Sequence, residues 1–225
     1  MPSFAAKLAQ ARPEEIAICD EISEMTWADV DDTLNRVANG LNEYDLGPQR
    51  RVAVFAENAV ETAMANLGGL IGGASVVPVN FHLTAEEVAY ILEDADVRVL
   101  FADGRTLERA LDAARMAKVG VVIAWHGQAQ GALAWDAWLA EQSAEPVDES
   151  RKPMPNLLYT SGTTGRPKGT ELPPTMFAGG DTIAEHLGLY RQTVRDYIGD
   201  ATGPQLVVGP MYHTGPLSST RQLIA

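Results

Sequence analysis

Residues 159–169 read Tyr-Thr-Ser-Gly-Thr-Thr-Gly-Arg-Pro-Lys-Gly, a stretch whose residue types are suited to holding an anion. Gly162, Gly165 and Gly169 let backbone amides turn toward a negative charge. The hydroxyls of Thr160, Ser161, Thr163 and Thr164 add donors, and Lys168 adds a mobile positive charge. The chemistry this points to is the cradling of phosphate. The same composition also fits a solvent-exposed loop rich in Ser, Thr and Gly, and composition alone does not choose between the two.

Order removes several alternatives. A Walker A loop requires Lys directly after Gly and before Ser or Thr, whereas Lys168 lies between Pro167 and Gly169. A nucleophile elbow requires glycine two residues either side of the serine, and Tyr159 stands two residues before Ser161. No Gly-x-Gly-x-x-Gly follows a strand. A second candidate is His213, in Gly209-Pro210-Met211-Tyr212-His213-Thr214-Gly215. Taken alone, a histidine in an apolar neighbourhood fits hydrogen-bonded packing as well as chemistry. His82, His126 and His186 have no metal-ligand spacing among themselves or with Cys19, so no protein metal site is expected.

The elements that must position these residues alternate between helix and strand. Thr26 with Asp29 is a capping-box pair, and Val30, Leu34, Val37, Ala38 and Leu41 recur at helical spacing, predicting a helix near 27–44. The run 51–55 reads as a strand buried on both faces. Asn58 with Glu61 is expected to open a helix ending at Gly68, Gly69, Gly72 and Gly73, followed by a strand at 75–79. Thr84 with Glu87 caps a helix through Leu92, and 97–101, 105–117 and 120–124 read as strand, helix and strand. This alternation predicts an α/β fold with doubly wound, mostly parallel sheets flanked by helices. Residues 141–155 lose periodicity and contain Pro146, Pro153 and Pro155, which suggests an exposed connector. It divides the chain into an N-terminal α/β subdomain, 1–145, and the start of a second subdomain, 146–225. In the second, a strand at 157–159, a helix after Pro173-Pro174 and an apolar strand at 205–209 are expected.

The whole chain has 225 residues, 46% hydrophobic and 21% charged, enough to bury a sizeable core. Its formal net charge of −13 argues against wrapping nucleic acid or binding an anionic membrane surface through bulk charge. The charge is uneven. Residues 1–150 hold 10 basic and 25 acidic side chains, whereas 151–225 hold 7 and 5, so the anion-suited loop lies in the non-acidic part. The single cysteine, Cys19, cannot form an intramolecular disulfide and is expected to be a buried small hydrophobe in a cytoplasmic protein. The N-terminus lacks the apolar core of a signal peptide. The apolar stretch 63–79 is interrupted by Asn66, four glycines and Pro78, so it predicts a tightly packed helix and strand rather than a membrane span or a helix-dimer motif.

The order Tyr159 to Gly169 closely resembles the phosphate-loop signature of the adenylate-forming superfamily: acyl-CoA synthetases, aryl-CoA ligases, luciferases and the adenylation domains of peptide synthetases. The segment 209–215 resembles the Pro-hydrophobic-aromatic-His stretch that follows that loop. Upstream, Thr26-Trp27-Ala28-Asp29-Val30, Val52-Ala53-Val54 with Glu57-Asn58, Val77-Pro78-Val79-Asn80 and Tyr90-Ile91-Leu92 fall in the family's order. The resemblance implies a two-step reaction. A carboxylic acid, fatty or related, attacks ATP to give acyl-AMP and pyrophosphate, and CoA then captures the acyl group as a thioester. It further implies that Thr160, Ser161, Gly162, Thr163, Thr164, Gly165 and Lys168 hold the ATP phosphates, with Mg²⁺ carried largely by phosphate oxygens. His213, Thr214 and Gly215 would line the acyl and adenylate pocket. His213 would position or gate rather than move a proton, because the carboxylate nucleophile is already ionised at neutral pH.

The sequence departs from the family pattern after the loop, where Lys168-Gly169-Thr170-Glu171-Leu172 leads to Pro173-Pro174 in place of Lys-Gly-Val and a later histidine. The family's Tyr-Gly-x-Thr-Glu and Thr-Gly-Asp motifs, its hinge and its late lysine do not occur in residues 1–225. The chain is therefore expected to be an N-terminal fragment, inactive alone, whose exposed apolar edge promotes homo-oligomers. Two alternatives stay open: a catalytically silent module binding nucleotide or a partner, and an adenylating enzyme that loads a carrier-protein thiol instead of CoA.

Overall fold

The structure is a computed structural model that describes residues 3–160, 166–172, 179–199 and 203–224. Its centre is a five-stranded sheet in the order β4-β3-β5-β6-β7, with every pairing parallel. The strands are β3 (Arg51–Phe55), β4 (Ser75–Pro78), β5 (Val99–Asp103), β6 (Val121–Trp125) and β7 (Leu133–Ala134). Ahead of them lie α1 (Phe4–Ala11) and a small antiparallel pair, β1 (Ile16–Cys19) and β2 (Glu24–Thr26). Helices α2 (Trp27–Asn42), α3 (Val60–Ile71) and α6 (Trp135–Ala140) accompany one face of the sheet, and α4 (Ala85–Asp94) and α5 (Leu107–Ala117) cover the other.

Alternation along each strand builds the two cores. Val52, Val54, Val99, Phe101 and Ile123 point to the α2–α3 side, whereas Ala53, Phe55, Leu100, Ala102 and Val122 point to the α4–α5 side. A strand buried on both faces has no polar position to spare, which is why its sequence is an unbroken apolar run. The capping boxes of α2 and α4 form as the sequence indicates, through Thr26 with Asp29 and Thr84 with Glu87. The glycines of α3 serve close packing within the chain. A Cβ on Gly68 would stand 2.5 Å from the Cβ of Val37 on α2, and one on Gly69 would stand 2.8 Å from a methyl of Val76 on β4. Among the described residues, no helix is long and apolar enough to cross a membrane.

Beyond the sheet come the antiparallel pair β8 (Leu157–Thr160) and β9 (Lys168–Glu171), then α7 (Ile183–Ile198), α8 (Thr214–Thr220) and a 3₁₀ turn (Arg221–Leu223). The segment 141–156 has no regular structure but is fastened to α2. Arg36 donates to the carbonyls of Leu139 and Gln142, Asn39 to those of Ser143 and Glu145, and the Asn35 side chain accepts from the Val147 N–H. The expected connector is thus a bound strap.

Three sequence expectations are corrected. Residues 205–209 carry a strand pattern but pair with no strand among the described residues; Val207 packs inward while Leu206 and Val208 are 83% and 85% exposed. A strand needs a partner for its backbone groups as well as the right side chains. Cys19 is exposed, because it ends a short two-stranded ribbon opposite Glu24 instead of lying in the sheet. Asn58 does not cap α3. The helix starts after Ala59 without a local side-chain cap, and Asp20 accepts from the Val60 N–H at 2.8 Å instead. Pro173 and Pro174, the expected helix start, lie outside the described residues.

Candidate functional site

The anion-suited loop springs from the β8–β9 hairpin. The register pairs Leu157 with Glu171, Leu158 with Thr170, Tyr159 with Gly169 and Thr160 with Lys168. Thr160 and Lys168 therefore face each other across the mouth of the loop, both exposed. Among the described residues, no ion pair or hydrogen bond engages the Lys168 side chain, which leaves its charge available to an anion. Ser161, Gly162, Thr163, Thr164 and Gly165 lie outside the described residues.

The hairpin is braced against the first part of the chain at several points. Leu157 is buried in the α4–α5 core. The Tyr159 hydroxyl donates to the carboxylate of Asp94 at the end of α4. Burial first, and then this bond to an acceptor, push the Tyr159 phenol well above its ordinary range, so it stays a donor at neutral pH. Tyr159 lies across its cross-strand neighbour, where a Cβ on Gly169 would meet the ring at 3.1 Å. Arg51 bonds Glu171 at 2.9 Å, and the Arg166 guanidinium sits 5.2 Å from the centre of the Tyr90 ring on α4.

Beneath the hairpin lies a buried polar layer. Asn156, one step before β8, accepts from Arg221 at 3.1 Å, and its backbone carbonyl accepts from Leu172. His186 on α7 donates from Nδ1 to the Gly179 carbonyl at 3.1 Å. Burial and then the Arg221 charge push His186 down to about 4, so it is neutral at pH 7 and serves as packing.

His213 stands in a different place. The turn 210–213 closes with the His213 N–H on the Pro210 carbonyl at 3.0 Å, and His213 is the N-cap residue of α8. Its ring is exposed and leans on Tyr212, which meets Phe81 edge-on at 5.3 Å. Phe81 is fixed from behind, because Arg109 donates to the carbonyls of Phe81 and Leu83 at 2.8 and 2.6 Å while lying over Phe55. Thr214 and Gly215 form the first turn of α8, with open space beside Gly215. Among the described residues, no hydrogen bond, ion pair or ring contact joins the Thr160–Lys168 mouth to His213. Both are instead fastened around β4 and α4.

The residues that sequence reasoning missed sit where the sheet order reverses, between the ends of β3 and β5. Asp103 accepts from the Glu57, Arg105 and Thr106 N–H groups at 2.7, 3.0 and 2.8 Å, and Arg105 closes onto Glu57 at 3.1 Å. The next residue, Asn58, grips the His213 segment: Nδ2 donates to the Gly209 carbonyl at 2.9 Å and Oδ1 accepts from the Met211 N–H at 2.8 Å. An acid at the end of an apolar strand was the available signal for Asp103; Asn58 stood out only as a helix opener and as part of the Glu57-Asn58 pair, and neither reading gave it this partner. Nearby, burial works to raise Asp20, but the N–H groups of Ile22, Ser23 and Val60 and the proximity of His126 outweigh it and hold the carboxyl below its ordinary value. No group of three or more His, Cys, Asp or Glu among the described residues could hold a metal ion. The donors at the loop stems are a hydroxyl and an ammonium, so Mg²⁺ would come with the oxygens of the phosphates it accompanies.

A sequence profile described as AMP-binding enzyme matches residues 5–215. The chain belongs to this family. Its adenylate-forming relatives include the fatty acid–[acyl-carrier-protein] ligase ScoC of Streptomyces coeruleorubidus, 31% identical over 214 residues, 93% of this chain and 38% of that protein. Tyrocidine synthase 2 of Brevibacillus parabrevis is 26% identical over 187 residues, 83% of this chain and 5% of that protein. Among solved structures, o-succinylbenzoate CoA synthetase from Bacillus subtilis, in complex with its acyl-adenylate intermediate, has the same fold. It superposes with a TM-score of 0.66 at 23% identity over 100% of this chain and 54% of that one. The chain thus spans well under half the length of the curated relatives it matches.

Proposed function

We propose that these 225 residues carry the phosphate grip and one wall of the acyl site of an ATP-dependent acyl-CoA synthetase. The observation that carries this reading is the hairpin, braced to α4 through Tyr159 and Arg166, that sets Lys168 and Thr160, exposed, at the two ends of the Ser/Thr/Gly stretch. The leaving β- and γ-phosphates need charge neutralisation and fixed donors, and Lys168, Thr160 and the hydroxyls and amides of 161–165 offer both. His213, Thr214 and Gly215 form the acyl and adenylate side. His213 positions or gates, since a carboxylate needs no base. Residues 1–145 act as the scaffold subdomain and 146–225 as the part bearing the site. The full reaction, carboxylate plus ATP to acyl-AMP and pyrophosphate and then thioester formation, belongs to a protein of the length its relatives have, and 1–225 alone is inactive. A lone thiol and the need for ATP fit the cytoplasm.

A second reading keeps the adenylation step and changes the acceptor to a carrier-protein thiol. It is favoured by the acyl-carrier-protein ligase that matches over 93% of this chain. The deciding experiment is carboxylate-dependent exchange of pyrophosphate into ATP by the full-length protein, followed by CoA or a carrier protein as acceptor. Lys168→Ala is expected to lower exchange on the order of 10²-fold, the scale for losing a desolvated charge-stabilising donor. Unchanged exchange in Lys168→Ala refutes the phosphate assignment, and exclusive acylation of the carrier protein selects the second reading.

A further inference from the structure

The Asn58 side chain spans 151 residues of sequence to reach Gly209. Released from capping α3 by Asp20, its carboxamide uses both ends at once, donating to the Gly209 carbonyl and accepting from the Met211 N–H. Matching a carbonyl and an N–H two residues apart requires one donor and one acceptor on a short planar group, which an asparagine supplies and an aspartate does not. The anchor beneath it is rigid. The Glu57 N–H is held by Asp103 at 2.7 Å, and the Glu57 carbonyl accepts from Thr62 Oγ1 at 2.5 Å.

Besides the grip, the segment is anchored by the Met211 side chain, which is buried in the α2–α3 core. Residues 205–208 pair with no strand among the described residues. Past the grip, Pro216 sits so close to Gly209 that a Cβ there would be 2.6 Å from the proline ring, and Tyr212 rests edge-on against Phe81. The clamp and the ring contact thus bracket the turn that ends at His213.

We propose that Asn58 is a positioning residue: its carboxamide fixes the 209–213 turn on the C-terminal edge of the parallel sheet and thereby sets where His213 stands beside the acyl group. This rests on the assignment of His213 to the acyl and adenylate side made above. Both polar ends of the Asn58 carboxamide are taken by Gly209 and Met211, so its loss acts on the acyl end of the site and not on the phosphate loop.

The test uses the full-length protein with Asn58→Ala and Asn58→Asp, reading the exchange of the Met211 amide and the affinities for AMP and for a non-hydrolysable acyl-adenylate. In Asn58→Ala, Met211 exchange is expected to rise about tenfold, the scale of one net hydrogen bond, while the amides of β3 and β5 keep their protection. Affinity for the acyl-adenylate falls about tenfold and that for AMP changes little; Asn58→Asp, which keeps the acceptor but turns a carboxylate oxygen toward the Gly209 carbonyl, loses at least as much. Unchanged Met211 exchange overturns the clamp. Raised exchange with equal losses for both ligands, or with none, overturns the positioning role and leaves the proposed function standing. Failure of the unsubstituted protein to bind either ligand overturns the proposed function and this inference with it.

Discussion

Replacing Asp103 by alanine removes the knot that sets the path of the chain after both β3 and β5. Asp103 is 6% exposed and Thr106 is fully buried, and the carboxylate accepts from the N–H groups of Glu57, Arg105 and Thr106 and from Thr106 Oγ1 at 2.9 Å. These four bonds are not equal. Thr106 Oγ1 keeps a second acceptor, the Phe55 carbonyl at 2.6 Å, so it is not orphaned. The Thr106 N–H likewise keeps a backbone acceptor, the Asp103 carbonyl at 3.1 Å, so it loses about 1 kcal/mol and not the full cost of an orphaned donor. The Glu57 and Arg105 N–H groups lie nearer the surface and lose about 1 kcal/mol each. Asp103→Ala is therefore expected to destabilise the chain by roughly 2–4 kcal/mol, a midpoint drop of roughly 4–16 °C for a chain of this size. Asp103→Asn keeps one acceptor oxygen and turns an NH₂ toward a donor, for a loss of roughly 1–3 kcal/mol. Guanidinium unfolding followed by far-ultraviolet dichroism and by the fluorescence of the Trp125, Trp135 and Trp138 cluster measures both, provided the two signals coincide. A loss below about 1 kcal/mol in Asp103→Ala, or an asparagine variant as unstable as the alanine one, refutes the account.

Stability should also respond to pH through His186. Its folded value of about 4 lies below the ordinary value of 6.5, so the unfolded chain binds a proton first as pH falls. The contribution of His186 is intact above about 6.5 and is lost toward 4, at up to about 1.4 kcal/mol per pH unit; His186→Asn, whose amide can still donate to the Gly179 carbonyl, should flatten that slope in unfolding titrations. Two helix glycines should behave oppositely in thermal melts. Gly68→Val drives a methine into Val37 at 2.5 Å and is expected to cost about 1–3 kcal/mol or more, whereas Gly188→Ala in α7 meets nothing within 4 Å and should gain up to about 1 kcal/mol.

What the sequence reveals is what is local or periodic. The capping boxes at Thr26 and Thr84 span three residues, and the doubly buried strands are continuous apolar runs, so α2, α4 and the strands β3 to β6 were readable to within a few residues. Strand β9 was not, because Lys-Gly-Thr-Glu has no apolar period and becomes a strand through its ladder with β8. The error at 205–209 is the converse, a strand pattern whose ladder partner is missing among the described residues. The candidate site divides in the same way. The loop sequence declares its donors, and Thr160 and Lys168 do stand at its mouth; the Asn58 grip and the Tyr159–Asp94 brace join residues far apart in sequence and have no local signature.

The order of the sheet gives this fold the crevice where a doubly wound protein usually binds its ligand, and here the chain's own groups occupy the backbone donors around it. That crevice opens where the strand order reverses, here between β3 and β5, and a nucleotide there would need unoccupied backbone donors. Asp103 already takes the donors of Glu57, Arg105 and Thr106, and Asn58 reaches outward to Gly209 and Met211. The parallel sheet has become a scaffold, and its reversal point grips another segment of the same chain. The residues that flank the anion-suited stretch, Tyr159 and Arg166, are fastened to α4, and the His213 turn meets the ring of Phe81 just ahead of α4. The charge distribution runs the same way: residues 1–150 carry 25 acidic side chains against 10 basic ones, while 151–225, which hold the anion-suited sequence, carry 5 against 7. Phe81, Tyr90 and Asp94, on α4 or just ahead of it, are therefore where both the His213 turn and the β8–β9 hairpin are fastened to the first part of the chain.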